Sequence, residues 1–228
     1  MHNTVVIIKK QIRDTLKNKT ILIQFILFPL MTVIMENAIK IDGMQEYFFT
    51  RLFAVMYIGM APFVATSSVI SEEKEKNTLR VLMMADVKPW QYLAGTAVYV
   101  WTICMIGAAV MAAGLPSSDR GFFLLVMGIG SVISIIAGAC IGVASKNQMM
   151  ATSLTMPFML VFSFAPMLSM FNESIKKYSA VVFTQQLRLL FDKMSFEGFS
   201  RAGAAVLCIN AILCTGLFIF ACQRKGLE

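Results

Sequence analysis

Apolar residues along this chain fall into long blocks separated by short charged patches. A helix needs about 20 apolar residues to cross a bilayer. Six blocks reach that length, over 20–40, 51–70, 91–113, 122–144, 149–170 and 202–222. Pro29 is expected to kink the first, and the fifth contains Pro157 and Pro166. A tight turn over 114–121 separates the third from the fourth. The fourth is rich in small residues, and Gly138 and Gly142 stand at the spacing that lets two helices approach closely. The pattern predicts an all-α integral membrane protein, a single transmembrane domain over 1–228 with six transmembrane helices.

The polar stretches predict three further features. Over 1–19, Val5, Ile8, Ile12 and Leu16 recur at helical steps, and Lys9, Arg13 and Lys17 form the neighbouring stripe, with Lys10 beside it. That is the pattern of an interfacial helix whose apolar stripe lies on the membrane. Residues 71–90 are the most polar part of the chain. Their acids come first, where they suit a helix N-terminus. Asn77 or Thr78 is placed to cap a short helix there. Leu79, Leu82 and Met83 give that helix an apolar side, and Pro89 stops it or starts the next. Trp90 and Tyr92 fit an interfacial aromatic belt. Residues 171–200 mix apolar positions with Glu173, Lys176, Lys177, Arg188, Asp192, Lys193 and Glu197. Apolar pieces such as 183–191 are too short to cross, so interfacial or re-entrant helices are expected before the last span.

Composition narrows the classes. Of 228 residues, 57% are apolar and 14% charged, which excludes a soluble fold and leaves no room for a soluble catalytic domain. The net charge of +7 is read as basic loops facing anionic lipid, not as a nucleic-acid surface. Lys and Arg are more numerous on the side of the two termini, which predicts a multi-pass plasma-membrane protein with both termini cytoplasmic. The first apolar block lacks the small-residue cleavage site of a signal peptide. Five cysteines without a C-x-x-C pair and a lone His2 offer neither a disulfide framework nor a metal site. Glu36 lies near the far end of the first span, where a carboxylate must sit at the interface or face a wet cavity or a partner. Glu36, Lys176, Lys177 and Arg188 are therefore candidate pathway groups.

Several features occur together and in order. A basic interfacial helix precedes the first span, and Glu72-Glu73-Lys74-Glu75-Lys76-Asn77-Thr78-Leu79-Arg80-Val81-Leu82 follows the second. Pro89 and Gly95 lie just downstream, and an outer segment ending in Gln186-Leu187-Arg188 precedes the last span. In this combination the chain resembles, over nearly its whole length, the membrane subunit of an ABC-type exporter of the type-2 permease class. In that family the stretch after the second span resembles E-x-E-x-G-T-L-x-x-L-L and forms a cytoplasmic coupling helix that docks into the ATPase subunit. The resemblance implies coupling roles for Glu72, Glu73, Glu75, Asn77, Thr78, Leu79, Arg80, Leu82 and Met83. Asn77 stands where Gly is usual, and Thr96 follows Gly95 where Lys is common. Asn shares the tolerance of unusual backbone angles that the first position needs.

No G-x-x-x-x-G-K-[ST] phosphate loop occurs in the sequence. The resemblance implies that ATP and Mg are bound by two copies of a partner ATPase subunit, with no catalytic site and no cofactor on this chain. It also implies a second permease subunit, giving a homodimer or a heterodimer around the pathway. Small permeases of this class resemble exporters of drugs, antimicrobial peptides or cytolytic toxins, the phenol-soluble-modulin exporters among them. Two other classes compete. An intramembrane enzyme would need paired ionisable groups at bilayer depth, and apart from Glu36 the spans have almost none. An ion-driven transporter or channel would hold a buried ion site and often internal repeats, and would leave the 71–90 segment unexplained.

Overall fold

The computed structural model describes residues 7, 8, 10–13, 19–39, 43, 45–195 and 200–225. Every regular element among them is a helix. After a helical N-terminal segment within 7–13 come α1 (Lys19–Ala38), α2 (Phe48–Glu75), α3 (Thr78–Met84), α4 (Pro89–Ala112) and α5 (Ser117–Ala144). Then follow α6 (Gln148–Leu168), α7 (Glu173–Ser179), α8 (Phe183–Lys193) and α9 (Arg201–Lys225). Six of these, α1, α2, α4, α5, α6 and α9, are long and apolar enough to cross a membrane. The chain is an integral membrane protein.

Two spans are longer than their apolar blocks. The second continues through its acidic residues to Glu75, so the charged stretch begins inside α2. The fourth begins at Ser117, which shortens the expected turn. Arg120 makes this possible by donating from Nε to Leu115 O (2.8 Å) and from Nη2 to Ala113 O (2.9 Å), satisfying carbonyls at the end of α4. Pro29 sits inside one unbroken α1.

The helix α2 is the centre of the bundle, in contact with α1, α3, α4, α5, α6 and α8. Buried side chains of α2, α4, α5 and α8 form the main core, with Tyr57, Tyr99, Phe123, Phe183 and Phe191 among the largest. Hydrophobic burial cannot distinguish a partner helix from lipid, so close backbone contact and interhelical hydrogen bonds must hold such a bundle. Both are present. Ser134 Oγ on α5 donates to Ile58 O on α2 (2.7 Å), and Ser163 Oγ on α6 donates to Met56 O (3.2 Å). Ser67 and Thr155 hydroxyls meet at 3.2 Å. Gly138 and Gly142 face Phe63, Ser67 and Ile70 of α2, as their spacing predicts.

The helix α8 has 11 residues, too few to cross, yet eight of them are buried. It enters the bundle far enough for Leu187 to lie against Gly130, near the middle of α5. Of the interfacial and re-entrant arrangements expected of the outer segment, its burial favours the re-entrant one. The helix α9 packs mainly on α5 and α8, and among the described residues most of its surface is uncovered.

Candidate functional site

The charged stretch builds a corner at one end of the bundle. Glu72, Glu73 and Glu75 lie in the last turns of α2, not at a helix start as expected. Carboxylates there oppose the helix dipole, and each has a compensating partner. Glu73 Oε1 accepts from Lys10 Nζ and, at 2.7 Å, from Gln11 Nε2. Glu72 pairs with Lys76 one turn on. Glu75 Oε2 accepts from the backbone N–H of Gln148 at 2.8 Å. Gln148 opens α6, so this acid does sit at a helix N-terminus, but that of another helix. Lys74 Nζ donates to Val143 O (2.8 Å), near the C-terminal end of α5, where a cation is favoured.

Asn77 then turns the chain with φ +55°, in the left-handed region that Asn tolerates better than most residues. Its side chain makes no capping bond, contrary to the capping expected of Asn77 or Thr78. Its backbone serves the turn. The helix α3 that follows is fastened from below. Leu79 is 1% exposed and packs with Ile7, Ile70, Tyr92, Ala139 and Val143, and Leu82 and Met83 lie partly buried against that cluster. Its other side faces outward: Arg80 is exposed, Val81 is 62% exposed and Met84 81%. Pro89 starts α4, and Gln91 Oε1 accepts from the Lys88 N–H (3.1 Å) to close its first turn. Trp90 is exposed as an interfacial residue should be, but Tyr92 is fully buried under α3 and belongs to no aromatic belt. Thr96 is buried as well.

The N-terminal segment packs differently from its predicted stripe. Ile7 and Gln11 are buried, and Lys10 turns to Glu73. Ile12 is exposed, and Arg13 is exposed beside it. The face that meets the bundle is therefore 7, 8, 10 and 11: Ile8 of the predicted stripe packs against the main core, and Lys10 and Gln11 turn inward because a buried carboxylate on α2 must be paired there. Lys9, Lys17, Val5 and Leu16 lie outside the described residues. Replacing Glu73 with Ala is expected to remove the carboxylate that Gln11 and Lys10 share and to cost about 1–3 kcal/mol. The thermal unfolding midpoint in detergent would fall and trypsin would cut faster at Lys10 and Arg13. Lys76→Ala, which removes an exposed i,i+4 pair, should stay within ~0.5 kcal/mol of the parent.

The candidate pathway groups lie at the other end. Glu36 Oε2 accepts from the N–H (2.9 Å) and hydroxyl (3.1 Å) of Thr50, in the first turn of α2, so its carboxylate caps that helix. Lys176 and Lys177 lie on α7, where Glu173 reaches Lys176 at 3.8 Å. Arg188 on α8 is 9% exposed, and it donates from Nη1 to Asp192 Oδ2 (3.1 Å) and from Nε to Gln185 Oε1 (3.4 Å). Burial pushes the Asp192 carboxyl above its usual range, and the guanidinium groups of Arg188 and Arg51 pull it back. The structure thus brings Lys176 and Arg188 to one cavity and leaves Glu36 and Lys177 out of it. Residues 72–83 form a separate cluster at the opposite end of α2.

Sequence reasoning missed Gln11 and Gln148 as partners of the corner, and Val81 and Met84 as its exposed apolar pair. The latter two were findable, because on a helix they lie opposite Leu79, Leu82 and Met83.

The chain is thus a membrane bundle of six spans with a short helix fastened between the second and third. The ABC-2 family transporter protein model matches residues 2–221, and the chain belongs to that family. It is the membrane permease of an ABC transporter, a transport subunit and not itself a catalyst. No curated protein matches it closely enough to lend a more particular assignment.

Proposed function

We propose that the chain is the pathway-forming half of an ATP-driven exporter, worked by a separate ATPase subunit that docks on α3. The observation that carries this is the two-sided corner. Leu79 roots α3 in the bundle, while Arg80, Val81 and Met84 stand outward with no covering residue among the described residues. A motor can move membrane helices only through an element that is rigidly joined to them and open on the other side. The end of α2 from which α3 hangs is tied to the N-terminal segment through Glu73, to α5 through Lys74 and to α6 through Glu75. A push on α3 thus reaches α2 and, through it, these three other parts of the bundle.

In this reading the corner and both termini are cytoplasmic. Two permease chains, identical or related, enclose the pathway, and two ATPase subunits carry ATP and Mg. The cargo is an amphipathic peptide, toxin or drug. Its support is the uncovered side of α6, which presents Met156, Phe158, Leu160, Val161 and Phe164, an apolar and adaptable surface.

Purification of the tagged chain from its native membrane tests the proposal. An ATP-hydrolysing subunit should come down with it, and the complex in liposomes should hydrolyse ATP several-fold faster when an amphipathic helical peptide is added. A chain that purifies without an ATPase, and moves solute on a proton or sodium gradient alone, would instead be an ion-driven transporter.

A further inference from the structure

At the end of the bundle away from α3, a cavity of about 290 Å³ opens between α6, α7, α8 and the connection before α2. Its lining includes Gln45, Ser169, Lys176, Arg188 and Asp192. Among the described residues of the lining, two cations stand against one carboxylate. Asp192 is the one carboxylate of the lining, and it is engaged from two sides: Arg188 holds its carboxylate, and Arg51 Nη1 donates to its backbone oxygen at 3.2 Å. Lys176 is left with Glu173, which is 3.8 Å away and almost fully exposed, a pairing that water screens.

Donors remain. Arg188 bonds through Nε and Nη1, and among the described residues its Nη2 has no hydrogen-bond partner. Neither, among those residues, has the Gln45 side-chain amide. Ser169 is committed, its one hydroxyl proton shared between Pro166 O and Gln185 Oε1, and Gln185 in turn holds Arg188. The guanidinium is therefore fixed before any ligand arrives. A preset Arg, a nearby Lys and an amide donor make a site for a tetrahedral oxyanion.

The surroundings indicate the source of that oxyanion. Phe171, Tyr178 and Val181 are exposed around α7, beside Lys176 and Lys177. Exposed aromatic and apolar residues interleaved with lysines mark the headgroup level of a bilayer. The cavity lies at that level, where α6 ends at Leu168. We propose that this cavity binds the phosphate of an anionic phospholipid, held by Lys176 and Arg188. The assignment concerns a lipid site and is independent of which cargo the transporter moves.

The test is lipid retention by the purified chain in detergent, read by native mass spectrometry with added phosphatidylglycerol, phosphatidylcholine or inorganic phosphate. The parent should retain phosphatidylglycerol over phosphatidylcholine. Lys176→Gln, at an exposed position that folding does not need, should weaken that retention about tenfold. Lys176→Arg should keep most of it, and Lys177→Gln should leave it unchanged. Arg188→Gln should lose it too, and if that variant fails to fold the Lys176 pair decides. Equal loss from Lys176→Gln and Lys177→Gln, or no preference between the two lipids, would overturn the site. Binding of inorganic phosphate that displaces the lipid would support the oxyanion chemistry and overturn the lipid as its source.

Discussion

Replacing Gly138 with leucine is expected to remove folded protein from the membrane altogether. A Cβ at Gly138 would stand 2.3 Å from Phe63 O on α2 and 3.1 Å from its carbonyl carbon. Both atoms are backbone, so no side chain can rotate away. The two helices would have to part, and with them the serine hydrogen bond from Ser134 to Ile58. Overpacking a core costs about 1–3 kcal/mol when side chains can yield, and a collision with backbone sits at or beyond that upper end. Because lipid satisfies apolar surface as well as a neighbouring helix does, a separated α5 has little drive to return. Alanine should already lower the unfolding midpoint, and leucine should abolish the monodisperse peak on size-exclusion in mild detergent. Gly121 provides the comparison. It lies in the same helix with open space around its Cα, so Gly121→Ala should fold normally and gain up to about 1 kcal/mol. Equal behaviour of Gly138→Leu and Gly121→Ala would show that α2 and α5 do not pack as described.

The second large effect separates the two sides of α3. Val81→Asp combined with Met84→Asp places two carboxylates on a surface already open to solvent, so the permease should keep its fold and its unfolding midpoint within ~0.5 kcal/mol. If α3 is the docking element, co-purified ATPase should nevertheless fall by at least about tenfold, since burying an unpaired charge in a protein interface costs several kcal/mol. Leu79→Asp should lose the ATPase too, but for a different reason. Its carboxylate would be buried among Ile70, Tyr92 and Val143, so α3 itself would detach and the midpoint would fall. The outcome that sinks the assignment is a Val81/Met84 double variant that binds and stimulates the ATPase as the parent does. Measuring stability alongside binding is what makes the two substitutions informative together.

Much of this bundle is legible in the order of residues, because the requirement behind it is one-dimensional. A bilayer core demands an uninterrupted apolar stretch, and length alone identifies one. Hence the six spans, the 183–191 piece that is too short to cross, and the short helix with Leu79 on one side can all be read in advance. The Gly138 and Gly142 spacing is legible for the same reason, since helical periodicity puts both on one face. The second span proved longer than its apolar block because helix propensity and i,i+4 pairing continue through Glu72-Glu73-Lys74-Glu75-Lys76 after hydropathy stops.

The pairings were not legible, and they are what make the corner and the cavity. Glu73 meets Lys10 across 63 positions, Glu75 meets Gln148 across 73, and Arg51 meets Asp192 across 141. Nothing local in the chain distinguishes a carboxylate at the end of its own helix from one that caps another's start. The direction of Glu36 was likewise undecided, and the belt position expected of Tyr92 and the exposed side expected of the N-terminal helix were overturned by packing. The linear pattern of apolar residues carries which segments cross and which lie flat, since transfer into lipid depends on each segment alone. Which charges meet, which face of α3 stands free, and where a cationic cavity opens depend on helices far apart in the chain coming within hydrogen-bond reach, and that only packing in three dimensions supplies.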